Sequence, residues 1–436
     1  MARFHSQYVC QQCGYSQVGW AGKCPNCDTW GSLVETVTET TKSLSKKNNS
    51  KGHASKITSL SSISLSKLHR ISTKISELDR VLGGGLVPGQ VILLAGEPGI
   101  GKSTLLLQLA DSLGNFIYVS GEESAQQIKI RAKRLGINKD ISLIEETDIE
   151  NVLETIGQAE KPNGVIIDSI QTMQTNDLTG LAGSVGQVRE CSFRYLKYAK
   201  RNNVPIFLVG HVTKEGTVAG PAVLAHIVDT VLWFEGDKTT PLRLLRAVKN
   251  RFGPTDEVGI FEMQEKGLIS LLNAEKIFLS KSRKQIAGSV VSSIMQGSRP
   301  ILVEIESLVV PTKMAFPKKI AQGIDSRRLE LLLAVLIRRC SLPLYEYDCF
   351  VNVAGGIKVM EPASDLAVCL SIASAFLDKP LPKGAIAIGE IGLSGEIREV
   401  VAQEKRVKEA KRQGFGIPIT NKEVKYLSEA IKKYLR

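Results

Sequence analysis

The chain has 436 residues, of which 43% are hydrophobic and 23% are charged. This length and composition allow two or three buried cores and exclude a chain that is disordered throughout. The formal net charge of +12 favours a polyanionic partner such as nucleic acid, although the same excess would also serve solubility alone.

The lack of recognisable targeting signals and the scattered cysteines both indicate a protein of the cell interior. No apolar run approaches the ~20 residues that span a bilayer, and the first residues lack the apolar stretch of a secretory signal. We therefore expect a cytoplasmic protein with no membrane partner. Four of the eight cysteines are scattered in apolar surroundings and are typical of core residues. They are Cys191, Cys340, Cys349 and Cys369.

The first 37 residues contain two Cys-x-x-Cys pairs separated by ten residues. Each pair can bind one metal from a tight turn, and four thiolates with no open position predict structural Zn²⁺. A redox pair is the main competing interpretation. We expect Trp20 and Trp30 to pack over this small module, which contacts either DNA or a partner protein. The predicted ligands are Cys10, Cys13, Cys24 and Cys27.

Residues 38–66 are rich in Ser, Lys and Asn and predict a flexible basic linker. No acidic residue lies between Thr41 and Lys74. Such a segment either slides along phosphates or is simply solvated.

Residues 67–273 alternate short apolar strands with helical stretches, which predicts a mostly parallel sheet covered on both faces. The predicted strands are 91–95, 116–120, 165–168, 205–210 and 230–234, and the predicted helices are 103–113, 125–135 and 149–160.

Within this domain a buried strand leads into a glycine-rich turn and a helix, the pattern of a P-loop that binds ATP. Gly96 and Gly101 bracket four residues, so that backbone N–H groups can converge on phosphate oxygens. Lys102 would reach the terminal phosphates and Ser103 would hold Mg²⁺. The predicted nucleotide-binding residues are Gly96, Glu97, Pro98, Gly99, Ile100, Gly101, Lys102, Ser103 and Thr104.

Carboxylates end two of the other predicted strands. Asp168 lies where a residue can hold a Mg²⁺-bound water. Glu122 is the candidate that orients the attacking water, with Glu123 as the fallback. Surface acids at the start of a helix are the alternative interpretation of this pair.

Two further motifs carry charge or a titratable ring. His211 follows a strand and is a candidate sensor of hydrolysis, although a lone histidine is often only structural. Residues 249–253 form a basic cluster closed by glycine, in which Lys249 and Arg251 suit a phosphate of nucleotide or nucleic acid. A solvated charged turn is the alternative.

Taken together, these motifs resemble the bacterial RadA (Sms) family of RecA-like DNA repair and recombination ATPases. The resemblance covers nearly the whole chain. It rests on the four-cysteine module, the glycine run 82–89, the P-loop, the Lys-Asn-Arg-Phe-Gly motif at 249–253, and residues 352–362.

The resemblance implies a hexameric ring of RecA-type cores with ATP at subunit boundaries. Arg251 would then act on the nucleotide of the neighbouring subunit, with Lys249 as its companion. Segments 177–189 and 214–221 would contact DNA, through Arg189 and Lys214. Single-stranded and branched DNA and a RecA-type recombinase are the implied partners.

Residues 274–436 predict a second α/β domain, which resembles the proteolytic domain of Lon. Its expected strands are 301–310, 350–353 and 385–388, and its expected helices are 326–339, 365–376 and 403–413. Ala363 stands where a Lon-type site needs its serine nucleophile, and the lysine position falls at or near Glu404, with Lys405 beside it.

We therefore expect this domain to lack proteolytic activity, although Ser364 lies next to Ala363. It would act as a scaffold for ring assembly, with a basic helix that faces DNA or only solvent. The helix carries Lys405, Arg406, Lys408, Lys411 and Arg412.

The sequence thus predicts an α/β protein with a RecA-like P-loop core, a zinc module and a Lon-protease-like domain. Its expected function is that of an ATP-dependent DNA motor in recombination and repair, which processes branched intermediates. Alternatives are a nucleotide-switched ring scaffold that does not move on DNA, and an ATP-dependent protease.

Overall fold

The computed structural model describes residues 4–10, 15–26, 28–39, 59, 69–178, 180–211, 221–236, 241–271, 279 and 285–436. The chain divides into two compact units, residues 1–271 and 272–436. Among the described residues, no helix combines the length and apolar character needed to cross a membrane.

The N-terminal part of the first unit is a small antiparallel sheet in the order β2-β1-β3. Its strands are β1 (Phe4–Cys10), β2 (Ser16–Gln17) and β3 (Leu33–Glu39). Cys10, Cys24 and Leu33 form its small buried cluster.

The rest of the first unit is built on one large sheet, whose described strands run in the order β12-β11-β10-β9-β4-β8-β7-β5-β6. The strands from β9 to β6 in this order are parallel. They are β4 (Val91–Gly96), β5 (Phe116–Ser120), β6 (Ser142–Glu145), β7 (Gly164–Asp168), β8 (Ile206–His211) and β9 (Thr230–Glu235).

Helices connect these strands and cover both faces of the sheet. Ser124 and Gln127 form a capping box at the start of α3, and the side chain of Asp148 caps the start of α4. The helices are α1 (Ser76–Leu82), α2 (Lys102–Leu113), α3 (Ala125–Leu135), α4 (Ile149–Gln158), α5 (Val185–Asn202) and α6 (Pro221–Ile227).

Every residue of β4, β5 and β7 is buried, because both faces of the sheet are covered. One apolar cluster joins Leu94, Leu106 and Phe207, and the other joins Leu93, Ile167 and Tyr195. The predicted strands and helices of this core agree with the observed ones to within two residues at each end.

Beyond β9 the sheet continues with three antiparallel strands. These are β10 (Leu242–Asn250), β11 (Val258–Gln264) and β12 (Gly267–Ser270). The register between β9 and β10 shifts between Ala247 and Lys249, which marks a bulge just before the basic motif.

The second unit contains a mixed sheet in the order β13-β14-β16-β15, together with the parallel pair β17-β20 and the antiparallel pair β18-β19. The strands are β13 (Ser289–Gln296), β14 (Arg299–Pro311), β15 (Lys319–Gln322), β16 (Tyr347–Val353), β17 (Ala385–Ala387), β18 (Glu390–Ile391), β19 (Ile397–Arg398) and β20 (Ile417–Ile419).

Four helices accompany these strands in the described part of the unit. They are α7 (Ser326–Cys340), α8 (Asp365–Leu377), α9 (Gln403–Arg412) and α10 (Leu427–Tyr434). Helix α8 is apolar on all sides and is buried from Asp365 to Ser374, so it forms the centre of the core of this unit.

Candidate functional site

The turn between β4 and α2 is the candidate nucleotide site. A Cβ on Gly96 would collide with the carbonyl oxygen of Phe234 on the adjacent strand. Gly99 and Gly101 have φ angles of +78° and +116°, which side-chain-bearing residues rarely adopt. The turn therefore requires glycine, and it leads into a helix N-terminus, which favours a bound anion.

Lys102 lies inside this turn. Its Nζ donates to the carbonyl oxygens of Gly96 at 2.8 Å and Glu97 at 3.0 Å, and the residue is buried. Burial lowers the pKa of Lys102 to about 8, although the negative charges of Asp168 and Glu122 oppose this shift. The turn, its cation and these two carboxylates fit a nucleoside triphosphate with Mg²⁺.

Tyr118 binds Asp168, one of the two predicted magnesium ligands, and the sequence alone did not indicate this contact. Its hydroxyl donates to Oδ2 of Asp168 and lies near Ser103. Burial, together with the charge of Asp168, raises the pKa of Tyr118 well above its usual value. The available signal was a tyrosine inside an apolar strand, since a buried hydroxyl needs a polar partner.

Glu122 follows β5 and lies in the same corner. Its Oε1 accepts a 2.5 Å hydrogen bond from Ser169 Oγ and lies 3.5 Å from His211 Nε2. The contact with His211 and the hydrogen bond from Ser169 lower the pKa of Glu122 to about 2, despite partial burial. Glu122 is therefore ionised at neutral pH and can accept a hydrogen bond from water.

Glu123, the fallback candidate, has different partners. Its Oε1 forms an ion pair with Nη2 of Arg131 on α3, and its backbone N–H donates to Ser120 Oγ at 3.1 Å. The two neighbouring acids are thus directed to different surroundings.

His211 ends β8 directly beside the phosphate turn, because it is the register partner of Gly96 on β4. The carbonyl oxygen of His211 accepts a 3.3 Å hydrogen bond from Gln171 Nε2. Parallel strands present their carboxyl ends at one sheet edge, so Gly96, Glu122, Asp168 and His211 all lie at this edge.

A cleft of about 450 Å³ adjoins Thr104, the last residue of the predicted nucleotide-binding run. Met263 and Gly267 line it from the antiparallel extension, and Arg134 and Leu135 line it from the end of α3. The cleft offers both apolar and polar surface next to the phosphate turn.

The basic motif and the P-loop lie at opposite ends of the strands of this sheet. Thr230 pairs with Asn250 on one side and with Ile92 on the other, whereas the P-loop begins four residues further along, at Gly96. Four strand residues span roughly 13 Å. Arg251 is thus separated from the nucleotide site of its own chain by the length of β4.

Within the motif, Arg251 is about half exposed, and its Nη1 lies 3.4 Å from Oδ1 of Asp229. Asp229 also accepts from Lys200 Nζ at 2.6 Å and from the Val91 N–H at 3.0 Å. Lys249 Nζ donates to the carbonyl oxygens of Ala225 and Val228. Burial and the neighbouring Arg251 lower the pKa of Lys249, against the attraction of Asp229.

Of the two residues predicted to contact DNA, the structure describes only Arg189. Arg189 is exposed on α5 and lines a cleft of about 680 Å³ that His226, Phe193 and Arg251 also line. No hydrogen bond or ion pair links it to another residue in the described ranges. Lys214 lies outside the described residues, as does most of segment 214–221.

In the N-terminal module, Cys10 and Cys24 are buried together, and Cys10 Sγ lies 3.2 Å from Ser32 Oγ. Cys13 and Cys27 lie outside the described residues. Two buried thiols in one cluster fit half of a four-cysteine zinc site. Trp20 and Trp30 flank Gly22 but remain mostly exposed, so they cover this module less than expected.

In the second unit, the residues at and beside the expected Lon-type lysine position have different surroundings. Glu404 is exposed and pairs with Lys422 at 3.1 Å, and Lys405 donates to the Ser298 carbonyl. The buried cation is Arg406, which forms two hydrogen bonds to Glu361, two residues before Ala363. The helical period along α9 did not show which of the adjacent residues 404, 405 and 406 would be buried.

Arg406 also corrects the predicted basic face of α9, because its side chain is only 1% exposed. It donates to the carbonyl oxygens of Ser293 and Val401 as well as to Glu361. Its charge is therefore neutralised inside the domain and does not face solvent.

Comparison with known proteins agrees with this geometry. The KaiC family model matches residues 71–161, and the rubredoxin metal binding domain matches residues 8–35. The DNA repair protein RadA of Bacillus subtilis is 48% identical over 424 residues, which cover 95% of this chain and 92% of that protein. The chain belongs to the RadA family.

Other RadA proteins match over the same extent. The DNA repair protein RadA of Pseudomonas aeruginosa is 47% identical over 419 residues, which cover 95% of this chain and 92% of that protein. The crystal structure of a KaiC-like protein from Pyrococcus horikoshii has 21% sequence identity and a TM-score of 0.39, covering 47% of this chain and 99% of that one. The predicted RadA resemblance and the RecA-like core with an N-terminal zinc ribbon are confirmed.

Proposed function

We propose that this RadA-family protein is an ATP- and Mg²⁺-dependent motor on DNA. It would process branched recombination intermediates during repair, promoting branch migration or extension of strand exchange. The main supporting observation is the convergence of Lys102, Glu122 and Asp168 around the glycine turn. The relatives described above are named DNA repair proteins.

ATP supplies a hydrolysable phosphoanhydride, and Mg²⁺ supplies neutralising charge. The turn 96–104 would hold the phosphates, and the cleft beside Thr104 would hold the nucleoside. Ser103 and Asp168 would hold the metal ion, with Tyr118 fixing the position of Asp168 through its hydroxyl. Lys102 would exchange its two carbonyl partners for phosphate oxygens.

Glu122 would orient the attacking water through Oε1. A carboxylate with a pKa of about 2 is ionised at every physiological pH but is a weak proton acceptor. We therefore assign it mainly a positioning function toward water and assign His211 the role of sensing the state of this corner. The ion pair of Glu123 with Arg131 favours Glu122 for this role.

Arg251 would act on the nucleotide of a neighbouring subunit in a hexameric ring. The separation of residues 249–253 from the P-loop of the same chain supports action across a subunit boundary. Lys249, whose ammonium is bound by two carbonyl oxygens, would position the loop that carries Arg251. Head-to-tail contacts of this kind form a ring when the rotation between successive subunits closes.

Arg189 and Lys214 are the proposed DNA contacts, with single-stranded and branched DNA as substrates and a RecA-type recombinase as a partner. These proposed activities would place the protein in the cytoplasm. Cys10, Cys13, Cys24 and Cys27 would bind Zn²⁺.

We also propose a division of the chain into a zinc finger (1–37), a basic linker (38–66), a RecA-like ATPase domain (67–273) and a Lon-protease-like domain (274–436). The last would be a scaffold without proteolytic activity, because Ala363 offers no nucleophile.

Two measurements on the purified full-length protein test this function. ATP hydrolysis is measured with and without single-stranded DNA, and DNA affinity is measured from 50 to 200 mM salt. We expect DNA to stimulate hydrolysis and the affinity to fall steeply with salt, because bound phosphates release counterions. Hydrolysis at the same rate with and without DNA would favour the nucleotide-switched scaffold.

A further inference from the structure

Gln171 lies in a 3₁₀ turn (Ile170–Thr172) immediately after Asp168 and Ser169 at the carboxyl end of β7. The turn that carries Glu122 packs directly against it, since a Cβ on Gly121 would collide with Thr172 Oγ1. The turn that carries Glu122 is therefore in van der Waals contact with the segment that carries Gln171, and a movement of one would displace the other.

Only one of the two polar atoms in the side-chain amide of Gln171 has a hydrogen-bond partner among the described residues. Its Nε2 donates to the His211 carbonyl oxygen at 3.3 Å, but its Oε1 is buried without a hydrogen-bond partner in the described part of the chain. His211 Nδ1 is likewise buried without a hydrogen-bond partner within the ranges that the structure describes, whereas His211 Nε2 lies 3.5 Å from Glu122 Oε1. Buried polar atoms are rarely left without hydrogen bonds.

His211 Nε2 faces the ionised carboxylate of Glu122, whose negative charge also acts on Lys102 of the P-loop. Such a cluster has more than one way to satisfy its hydrogen bonds, depending on what donors occupy the neighbouring corner. The amide of Gln171 and the imidazole of His211 are thus placed to respond to the contents of the nucleotide site.

The backbone of Gln171 lies close to the segment proposed to contact DNA. Gly183 of that segment is near enough that a Cβ added to it would meet the carbonyl oxygen of Gln171 at 3.4 Å. The base of this segment is rigid, because the buried amide of Gln187 accepts from the Thr175 N–H and donates to the carbonyl oxygens of Thr175, Leu178 and Gly180. A displacement at Gln171 would therefore be passed to the residues that Gln187 holds together.

We propose that Gln171 is a positioning residue that couples the nucleotide corner at Glu122 and His211 to the segment 177–189. This inference rests on the proposed function, since it assigns a route by which ATP alters contact with DNA. The coupling is reciprocal, so DNA bound at this segment would alter nucleotide affinity by the same factor.

The test compares the dissociation constant for single-stranded DNA with and without a non-hydrolysable ATP analogue, by fluorescence anisotropy. For the wild-type protein we expect the analogue to change DNA affinity by about fivefold or more. In Gln171→Ala the two constants should agree within about twofold, whereas affinity for the analogue itself, without DNA, should stay within about twofold of wild type. A merely structural role would weaken both ligands together.

Two further variants keep the result interpretable. Gln171→Met retains the volume of the side chain and removes both polar atoms, so it should lose coupling even if Gln171→Ala unfolds. Gln174→Ala removes the same side chain three residues later, where it makes no hydrogen bond within the described chain, and should keep wild-type coupling.

Wild-type coupling in Gln171→Met would overturn the assignment of Gln171 and leave the motor function intact. A wild-type protein whose DNA affinity ignored the analogue, and whose hydrolysis ignored DNA, would instead contradict the proposed function itself.

Discussion

Gly96 and His211 are register partners on the parallel strands β4 and β8. The glycine that opens the phosphate turn and the imidazole proposed to sense hydrolysis therefore leave the sheet side by side. The same edge carries Asp168 at the end of β7 and Glu122 just after β5. Chemistry that is dispersed over 116 positions of sequence is gathered here by parallel strands alone.

Nucleotide affinity should depend on pH through Lys102. With a pKa of about 8, the free protein loses this proton as the pH rises through 8. Bound phosphates would keep Lys102 protonated, so binding takes up a proton above pH 8 and affinity falls by up to about tenfold per pH unit. Titration with a fluorescent ATP analogue from pH 7 to 9.5 measures this.

Lys102→Arg is the matched control, because a guanidinium stays charged over this range. Its affinity should vary much less with pH than that of the wild type. A wild-type affinity that stayed constant from pH 7 to 9.5 would contradict the placement of Lys102 against the phosphates.

Replacing Glu122 should separate binding from hydrolysis. In Glu122→Gln we expect hydrolysis to fall by roughly 10²–10⁴-fold, because the oriented water loses its charged acceptor. Nucleotide affinity should change little, since Glu122 would contact water and not phosphate. Single-turnover hydrolysis and equilibrium binding on the same preparation provide the two readouts.

Glu123→Gln is the natural comparison for this variant. It removes an ion pair with Arg131 that is partly exposed, so only a small loss of stability and near-wild-type hydrolysis are expected. The reverse pattern, with Glu123 essential and Glu122 dispensable, would reassign the water-orienting role.

The pair formed by the buried Arg406 and the partly exposed Glu361 should be important for the stability of the second unit. In Arg406→Met, Glu361 loses its cationic partner and keeps the hydrogen bond from the Met295 N–H, so we expect a cost of about 3 kcal/mol. For a unit of this size, that lowers the melting temperature by roughly 6–12 °C. Differential scanning calorimetry of the full-length protein measures the shift.

Lys405→Met removes the neighbouring cation, whose side chain is exposed, and should shift the melting temperature by only about 1–2 °C. The double variant Glu361→Gln/Arg406→Met should recover part of the loss, because no unpaired charge remains. Equal shifts for Arg406→Met and Lys405→Met would refute the buried pair.

Zinc content should follow the cysteine module. We expect about one zinc ion per wild-type chain by elemental analysis and far less in Cys24→Ser, since a four-cysteine site loses a ligand. Cys369→Ser, in the core of the second unit, should keep the wild-type zinc content. Full zinc occupancy in Cys24→Ser would argue against this ligand set.

The sequence predicted the architecture of the core well, because its information was local. The strands that flank the P-loop are short apolar runs that alternate with helical stretches, and this local pattern identified both. The P-loop itself is a contiguous motif whose glycines have a direct structural reason.

What the sequence did not predict depends on contacts between distant residues. Tyr118 reaches Asp168 across fifty positions, and Gln171 reaches the His211 carbonyl across forty. Arg406 looked like one of several cations on a polar helix, and only packing against Glu361 distinguishes it. Burial and pairing of this kind are properties of tertiary structure, which periodicity does not encode.

The central claim is that Arg251 completes the nucleotide site of an adjoining subunit, and mixing two inactive variants tests it most directly. Lys102→Ala lacks a functional P-loop and Arg251→Ala lacks the finger, so each alone should show no DNA-stimulated hydrolysis. In an equal mixture, re-assembled from dissociated subunits, about a quarter of the boundaries in a head-to-tail ring combine an intact P-loop with an intact Arg251.

We therefore predict that the mixture regains DNA-stimulated hydrolysis at about a quarter of the wild-type rate if boundaries act independently. A mixture that stayed as inactive as its components, although mixed rings were shown to form, would contradict the account.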